Sequence, residues 1–165
     1  MSKTAIIYGS TTGNTENAAN QLAGLLEADI IDVSTKPEEA LTKYENLIFG
    51  TSTWGAGDLQ DDWEDFISNV ESADLSGKVV AIFGLGDSSS NPDTFVGGMG
   101  SIYEVVKDKG CKIVGSVETE SYDFDESTAV LDGKFIGLAL DEENQGDLSD
   151  ERITRWVEQI SKDLH

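Results

Sequence analysis

The sequence predicts a doubly wound parallel α/β sheet of five strands, and three observations carry that prediction. Short strand-like runs rich in Val, Ile, Leu and Phe alternate with stretches whose apolar residues recur at helical spacing, five times over. Two of the runs, 46–51 and 78–84, have unbroken apolar centres, as strands covered on both faces require. The segments that follow the first, third and fourth strands are rich in glycine and hydroxyl residues. With right-handed crossovers these three loops emerge at one edge, where parallel sheets bind their ligands.

Each element follows in turn. Thr4-Ala5-Ile6-Ile7-Tyr8 is the first strand, and Ala18, Ala19, Leu22, Leu25 and Leu26 form the stripe of the first helix. Asp29-Ile30-Ile31-Asp32-Val33 is a second short strand. Pro37 opens a weak helix over 38–41, because proline is tolerated in a first turn. The third strand, 46–51, leads through Ser52-Thr53-Trp54-Gly55-Ala56-Gly57-Asp58-Leu59 into a helix built on Trp63, Phe66, Ile67 and Val70. The fourth, 78–84, exits through a polar loop that runs to Asp93. A long helix over 94–109 stops at Gly110 as its cap, and 112–117 form a fifth strand. A polar stretch, 118–133, then interrupts the rhythm before 135–140 resume as a strand. Ile153, Trp156, Val157 and Ile160 are the stripe of a closing helix that starts at Ser149. Arg152 stands where an acid would complete a capping box.

Composition narrows the class. A chain of 165 residues fits one domain spanning 1–165, large enough to bury a core without staples. Six Phe, four Tyr and three Trp, with 38 % apolar residues, argue against disorder despite a formal charge of −21. That charge speaks against nucleic acid and anionic membranes and for basic protein faces. Seven acids and no base fall within 58–74, and twelve acids against Lys134 alone within 118–151. A merely solvated acidic surface is the competing reading. The single cysteine, Cys111, leaves no disulfide framework and no thiolate cluster for a metal, and reads as a buried structural thiol. Without a signal peptide or a membrane-length apolar run, the expected protein is cytoplasmic, monomeric and not membrane-inserted.

The stretch with the most chemistry is Ser10-Thr11-Thr12-Gly13-Asn14-Thr15, between the first strand and its helix. The free N–H groups and positive dipole end of a helix start can hold a phosphate, and the hydroxyls and the Asn14 amide add neutral donors. Gly13 lets the backbone approach an anion closely. The loop lacks the lysine of a nucleoside-triphosphate loop and is not Gly-x-Gly-x-x-Gly. A cluster of capping residues without a ligand is the alternative.

These residues resemble flavodoxin of the long-chain type, and the resemblance covers essentially the whole chain. Ser10 to Thr15 are similar to that family's FMN-phosphate loop. Thr53-Trp54-Gly55-Ala56-Gly57-Asp58-Leu59-Gln60 resembles the loop on one flavin face, and Gly84-Leu85-Gly86-Asp87 opens the loop on the other. The segment 118–134 looks like the insertion that splits the fifth strand in long-chain members. The resemblance implies strand order 2-1-3-4-5 and one non-covalent FMN. It also implies low-potential one-electron transfer between the semiquinone and hydroquinone levels, with no catalytic residue and no metal. Basic faces of ferredoxin–NADP reductase, photosystem I, nitrogenase or pyruvate oxidoreductase are the partner types it implies.

Carried over residue by residue, Ser10, Thr11, Thr12, Gly13, Asn14 and Thr15 hold the phosphate. Thr51, Ser52, Thr53, Trp54, Gly55, Ala56 and Gly57 form the first flavin loop, with Trp54 stacked on the ring. In the family the Gly55-Ala56 peptide flips to accept the hydrogen on flavin N5; a plain tight turn is the alternative. Gly84, Gly86, Asp87 and Asn91 form the second loop. Phe95 joins the set if the register brings it to the ring, although its spacing also suits the core. Trp63 and Trp156 read as core. One departure stands out: the family's outer-face tyrosine falls here on Asn91, which implies a more exposed outer face, weaker FMN binding and altered potentials. Among rivals, a phosphorylatable receiver domain fails because its acids are missing after the first and third strands. An FMN-dependent NAD(P)H:quinone reductase on the same fold remains the alternative.

Overall fold

The computed structural model describes residues 3–10, 13–54 and 57–165, with the Trp54 side chain outside the description. Its centre is a parallel sheet. Strands β1 (Thr4–Gly9), β2 (Asp29–Asp32), β3 (Asn46–Trp54) and β5 (Val79–Leu85) lie in the order β2-β1-β3-β5. A short β4 (Asp58–Leu59) turns back antiparallel on β3, pairing Thr53 with Leu59 and Trp54 with Asp58. The fifth position is shared. Here β6 (Lys112–Val114) pairs with β5 at Val79, Val80 and Ala81, whereas β10 (Leu138–Leu140) pairs at Phe83, Gly84 and Leu85. The expected order 2-1-3-4-5, with a split fifth strand, is the order observed.

Alternation along the strands builds two cores, one on each face. Ala5, Ile7, Leu47, Phe49, Val80 and Ile82 face the helices α3 (Asp61–Ser72) and α4 (Gly97–Val106), where Trp63, Phe66, Val70, Met99 and Ile102 are buried. Ile6, Tyr8, Ile48, Ala81 and Phe83 face α1 (Asn14–Leu26) and α6 (Ser149–Ser161), against Leu22, Ile153, Trp156 and Ile160. Trp63 and Trp156 are core residues, as their spacing implies. Each spends its indole N–H on a backbone carbonyl, Gly50 at 2.7 Å and Gly115 at 2.8 Å. Short helices α2 (Ala40–Lys43) and α5 (Glu142–Gln145) complete the set.

Between the two halves of the fifth strand, β7 (Val117–Glu118), β9 (Lys134–Phe135) and β8 (Val130–Leu131) form a small antiparallel sheet in that order. Gly115, at φ +94, and Gly137 break the strand runs expected at 112–117 and 135–140. The Gly137 Cα packs so closely on the Ile82 carbonyl that a Cβ would lie 1.9 Å from it. The long helix also starts later than 94 and ends before 109. Val96 adopts φ +48, a left-handed conformation that a β-branched residue rarely takes, so helical hydrogen bonding begins only at Gly97. At the other end Lys107 caps the helix, and Gly110 (φ +78) sits in the turn beyond. Cys111 is half-buried rather than buried, and burial raises its thiol pKa.

Candidate functional site

The C-terminal ends of β1, β3, β5 and β10 open onto one cleft of about 350 Å³. Asn14 and Thr15 line it from the start of α1, Ser52 and Thr53 from the end of β3, Leu85 from the end of β5, and Gly86, Asp87, Ser90 and Asn91 from the segment after it. Glu142 and Glu143 close the wall from α5. Three loops expected to converge do converge.

The start of α1 lines one side of the cleft. Gly13 is the N-cap residue at φ +95, and its N–H donates to Ser10 Oγ at 3.1 Å. The N-cap residue, being glycine, has no side chain of its own to spend on the first-turn amides. Tyr8, at the end of β1, donates its hydroxyl to Glu16 in the first turn at 2.9 Å. Burial, then the Glu16 hydrogen bond and the charges of Glu16 and Asp32, push the Tyr8 phenol up to about 12.

The β3–β4 hairpin rests on the start of α4. The Gly98 N–H donates to Thr53 Oγ1 at 3.0 Å, and Gly97 lies so close to Gly57 that a Cβ would sit 3.0 Å from the Gly57 Cα. Thr51 is fully buried, with its hydroxyl turned to the Ser52 carbonyl. Gly57 takes φ +92. Thr11, Thr12, Gly55, Ala56 and the Trp54 side chain lie outside the described residues.

The segment after β5 folds around Asp87. Asp87 Oδ1 accepts from the Ser89 and Ser90 amides, both at 3.1 Å, and Oδ2 accepts from the Ser90 hydroxyl at 3.0 Å. With the Asn144 amide as the leading cause, these bonds hold its carboxyl below the usual value. Gly84 lies within the strand, against Met99. Asn91 borders the cleft where the resemblance puts an aromatic ring.

Phe95 is the correction. It is 1 % exposed and its ring packs with Tyr122, Phe124 and Phe135, away from the cleft lining. The left-handed Val96 turns the chain there, so the core alternative for Phe95 is the one the fold adopts. The insertion that supplies Tyr122 and Phe124 also holds the loop backbone. The Asp125 and Glu126 amides donate to the Pro92 carbonyl at 2.8 and 2.9 Å, and the Ser127 hydroxyl donates to the Phe95 carbonyl at 2.5 Å. Sequence reasoning missed Leu85, Ser90, Glu142 and Glu143. For the two glutamates the signal existed, since they follow a strand that ends at the same sheet edge.

Among the described residues no group of three or more His, Cys, Asp or Glu is placed to hold a metal, and no helix is long and apolar enough to cross a membrane. The family described as Flavodoxin matches residues 6–156. Flavodoxin of Helicobacter pylori is 42 % identical over 161 residues, covering 97 % of both chains. That of a Synechocystis species is 43 % identical over 164 residues, covering 97 % of this chain and 96 % of its own. Among solved structures, Fusobacterium nucleatum flavodoxin bound to flavin mononucleotide superposes with a TM-score of 0.94 at 34 % identity, covering 98 % of each chain.

Proposed function

The chain belongs to the flavodoxin family, and from that premise we propose that it is a carrier of single electrons that binds one FMN, non-covalently, in the cleft between α1, the β3–β4 hairpin and the Asp87 loop. The observation that carries this reading is the glycine-started helix α1, set beside neutral hydroxyl and amide side chains at the mouth of a cleft of about 350 Å³. That donor set fits a phosphate monoester on a planar ring system. Bound there, FMN supplies the one-electron chemistry. Ser10, Asn14 and Thr15, with Thr11 and Thr12, would hold the phosphate; Trp54, Ser52 and Thr53 would flank one face of the ring, and Gly86, Asp87 and Asn91 the other.

The residues around the cleft tune the potential. Asp87, Glu142 and Glu143 line it, and the chain carries a formal charge of −21. Added negative charge in the cleft is therefore disfavoured, which makes the carrier strongly reducing. No side chain acts as acid, base or nucleophile. The acidic surface steers toward basic faces of redox proteins, in small and transient contacts. Ferredoxin–NADP reductase, photosystem I, nitrogenase and pyruvate oxidoreductase offer partners of that kind. The protein works as a monomer in the cytoplasm.

Anaerobic stepwise reduction of the FMN-loaded protein, followed by visible absorbance, tests the proposal. Two separated one-electron steps are expected. A single two-electron bleaching, together with turnover of NADPH by the isolated protein, would replace the carrier with the quinone reductase.

A further inference from the structure

The outer wall of the cleft is made from two segments distant in sequence, residues 86–91 after β5 and residues 142–143 after β10. The atoms that join them form a small network. Asp141 is 1 % exposed, and a buried carboxylate must be matched by donors. Its Oδ2 accepts from the Ser88 hydroxyl at 2.5 Å and from the Ser88 amide at 3.4 Å. The Asn144 amide nitrogen lies 2.9 and 3.1 Å from the two Asp141 oxygens and donates to Asp87 Oδ1 at 2.9 Å. Asn144 Oδ1 in turn accepts from the Ser89 hydroxyl at 2.6 Å. One neutral amide thus stands between two carboxylates from different elements, giving a hydrogen to each. Its oxygen also answers Ser89, one of the two serines between Asp87 and Ser90.

We propose that Asn144, seated on the buried Asp141–Ser88 pair, is a positioning residue that clips the Asp87–Asn91 loop to α5 and so presets the outer wall before any ligand enters. This rests on the FMN reading for its consequence, but the clip itself is a property of the protein alone. Asn144 is absent from the cleft lining and acts through Asp87 and Ser89. Without its two N–H donors, Asp87 faces Asp141 with no bridging hydrogen, and the loop relaxes away from α5. The cradle that remains is wider, so the ring is held less firmly and its second reduction step sees fewer fixed dipoles.

The test uses Asn144→Asp, which keeps the side-chain shape but replaces both donors with a third carboxylate, and Asn144→Ala, which removes the side chain. Hydrogen exchange of the amides at 88–91 is measured on FMN-free protein, and FMN affinity and both midpoint potentials on the loaded form. Exchange at 88–91 is expected to quicken by about tenfold in both variants, with the rest of the sheet unchanged. FMN binding should weaken about fivefold in Asn144→Ala and further in Asn144→Asp, as expected for charge-assisted bonds lost at a partly exposed site. The second potential should shift more than the first. Unchanged exchange at 88–91 overturns the clip, whether or not FMN binds. Quickened exchange in the two variants, beside a wild type that fails to bind FMN, keeps the clip and refutes the FMN reading. Quickened exchange with affinity and potentials equal to wild type refutes the positioning role.

Discussion

Gly98→Ala replaces a glycine in the first turn of α4 with the best helix former, yet it is expected to destabilise the protein and weaken FMN binding. A Cβ at this position would lie 2.9 Å from the Ser52 carbonyl oxygen, 3.1 Å from Thr51 Cγ2 and 3.2 Å from Thr53 Oγ1. The first of these is backbone in β3, where Ser52 pairs with Leu85 and Thr53 with Leu59, so it cannot swing aside as a side-chain tip could. Alanine returns at most about 1 kcal/mol of helix propensity in a helix interior, and less in a first turn. Overpacking against a fixed wall costs about 1–3 kcal/mol. The net is a loss of about 1 kcal/mol, read as a lower urea midpoint of the FMN-free protein at unchanged slope. Because Ser52 and Thr53 line the cleft, the displacement should also cost about fivefold in affinity, followed by the quenching of FMN fluorescence on titration. A variant at least as stable as the parent, with unaltered affinity, would refute the claim that α4 sets the position of the hairpin.

Other perturbations address separate parts of the molecule. Trp63→Phe removes the indole N–H from the Gly50 carbonyl and opens a gap beside Phe49 and Phe66, so thermal unfolding should report a loss of about 2 kcal/mol. Asn91→Tyr restores an aromatic face beside the cleft and should tighten FMN binding by about 0.5–1.5 kcal/mol, with a measurable change in the potentials; equal affinity and equal potentials would count against an exposed outer face. Tyr8 and Tyr122 are both pushed up to about 12, chiefly by burial, against an ordinary 10.0. Their folded-state values are raised, so the stability they contribute is intact below pH 10 and declines between pH 10 and about 12. Absorbance at the tyrosinate band and circular dichroism should therefore change together in that window. Early ionisation of both phenols in the intact fold would contradict their burial.

What the sequence discloses is the part of the molecule that local pattern controls. Continuous apolar runs mark β3 and β5 because both faces of those strands are covered, and the Trp63 and Trp156 stripes mark which side of each helix is inward. The cleft follows from topology once the strands are known, since parallel strands deliver their exits to one edge. Tertiary decisions are less legible. Nothing in Thr94-Phe95-Val96-Gly97 announces that Val96 will turn left-handed, and that turn sends Phe95 to the aromatic cluster instead of the cleft. The breaks at Gly115 and Gly137 depend on the Trp156 indole and the Ile82 carbonyl, partners far away in the chain. A four-residue helix such as α5 carries too few residues for any periodicity, so Asn144 stays hidden until the fold places it, and Glu142 and Glu143 are traceable only through the strand they follow.

The split of the fifth strand has a consequence for how the chain tolerates length changes. Val114 is fixed opposite Ala81 and Leu138 opposite Phe83, so the excursion leaves and rejoins β5 within two residues of one strand. Closing a loop becomes only slightly more costly as the loop grows, about 0.6 kcal/mol for each doubling. Extra residues at an exposed turn of the excursion, beside Asp132 and Gly133, should therefore cost little. Deletions meet the opposite situation: trimming around 122–127 uncovers Phe95 and frees the Pro92 carbonyl, one residue from Asn91. Tolerance is one-sided, generous to additions and strict toward losses, because the excursion is anchored at its ends by the sheet but used in its middle to hold the segment around Pro92 and Phe95.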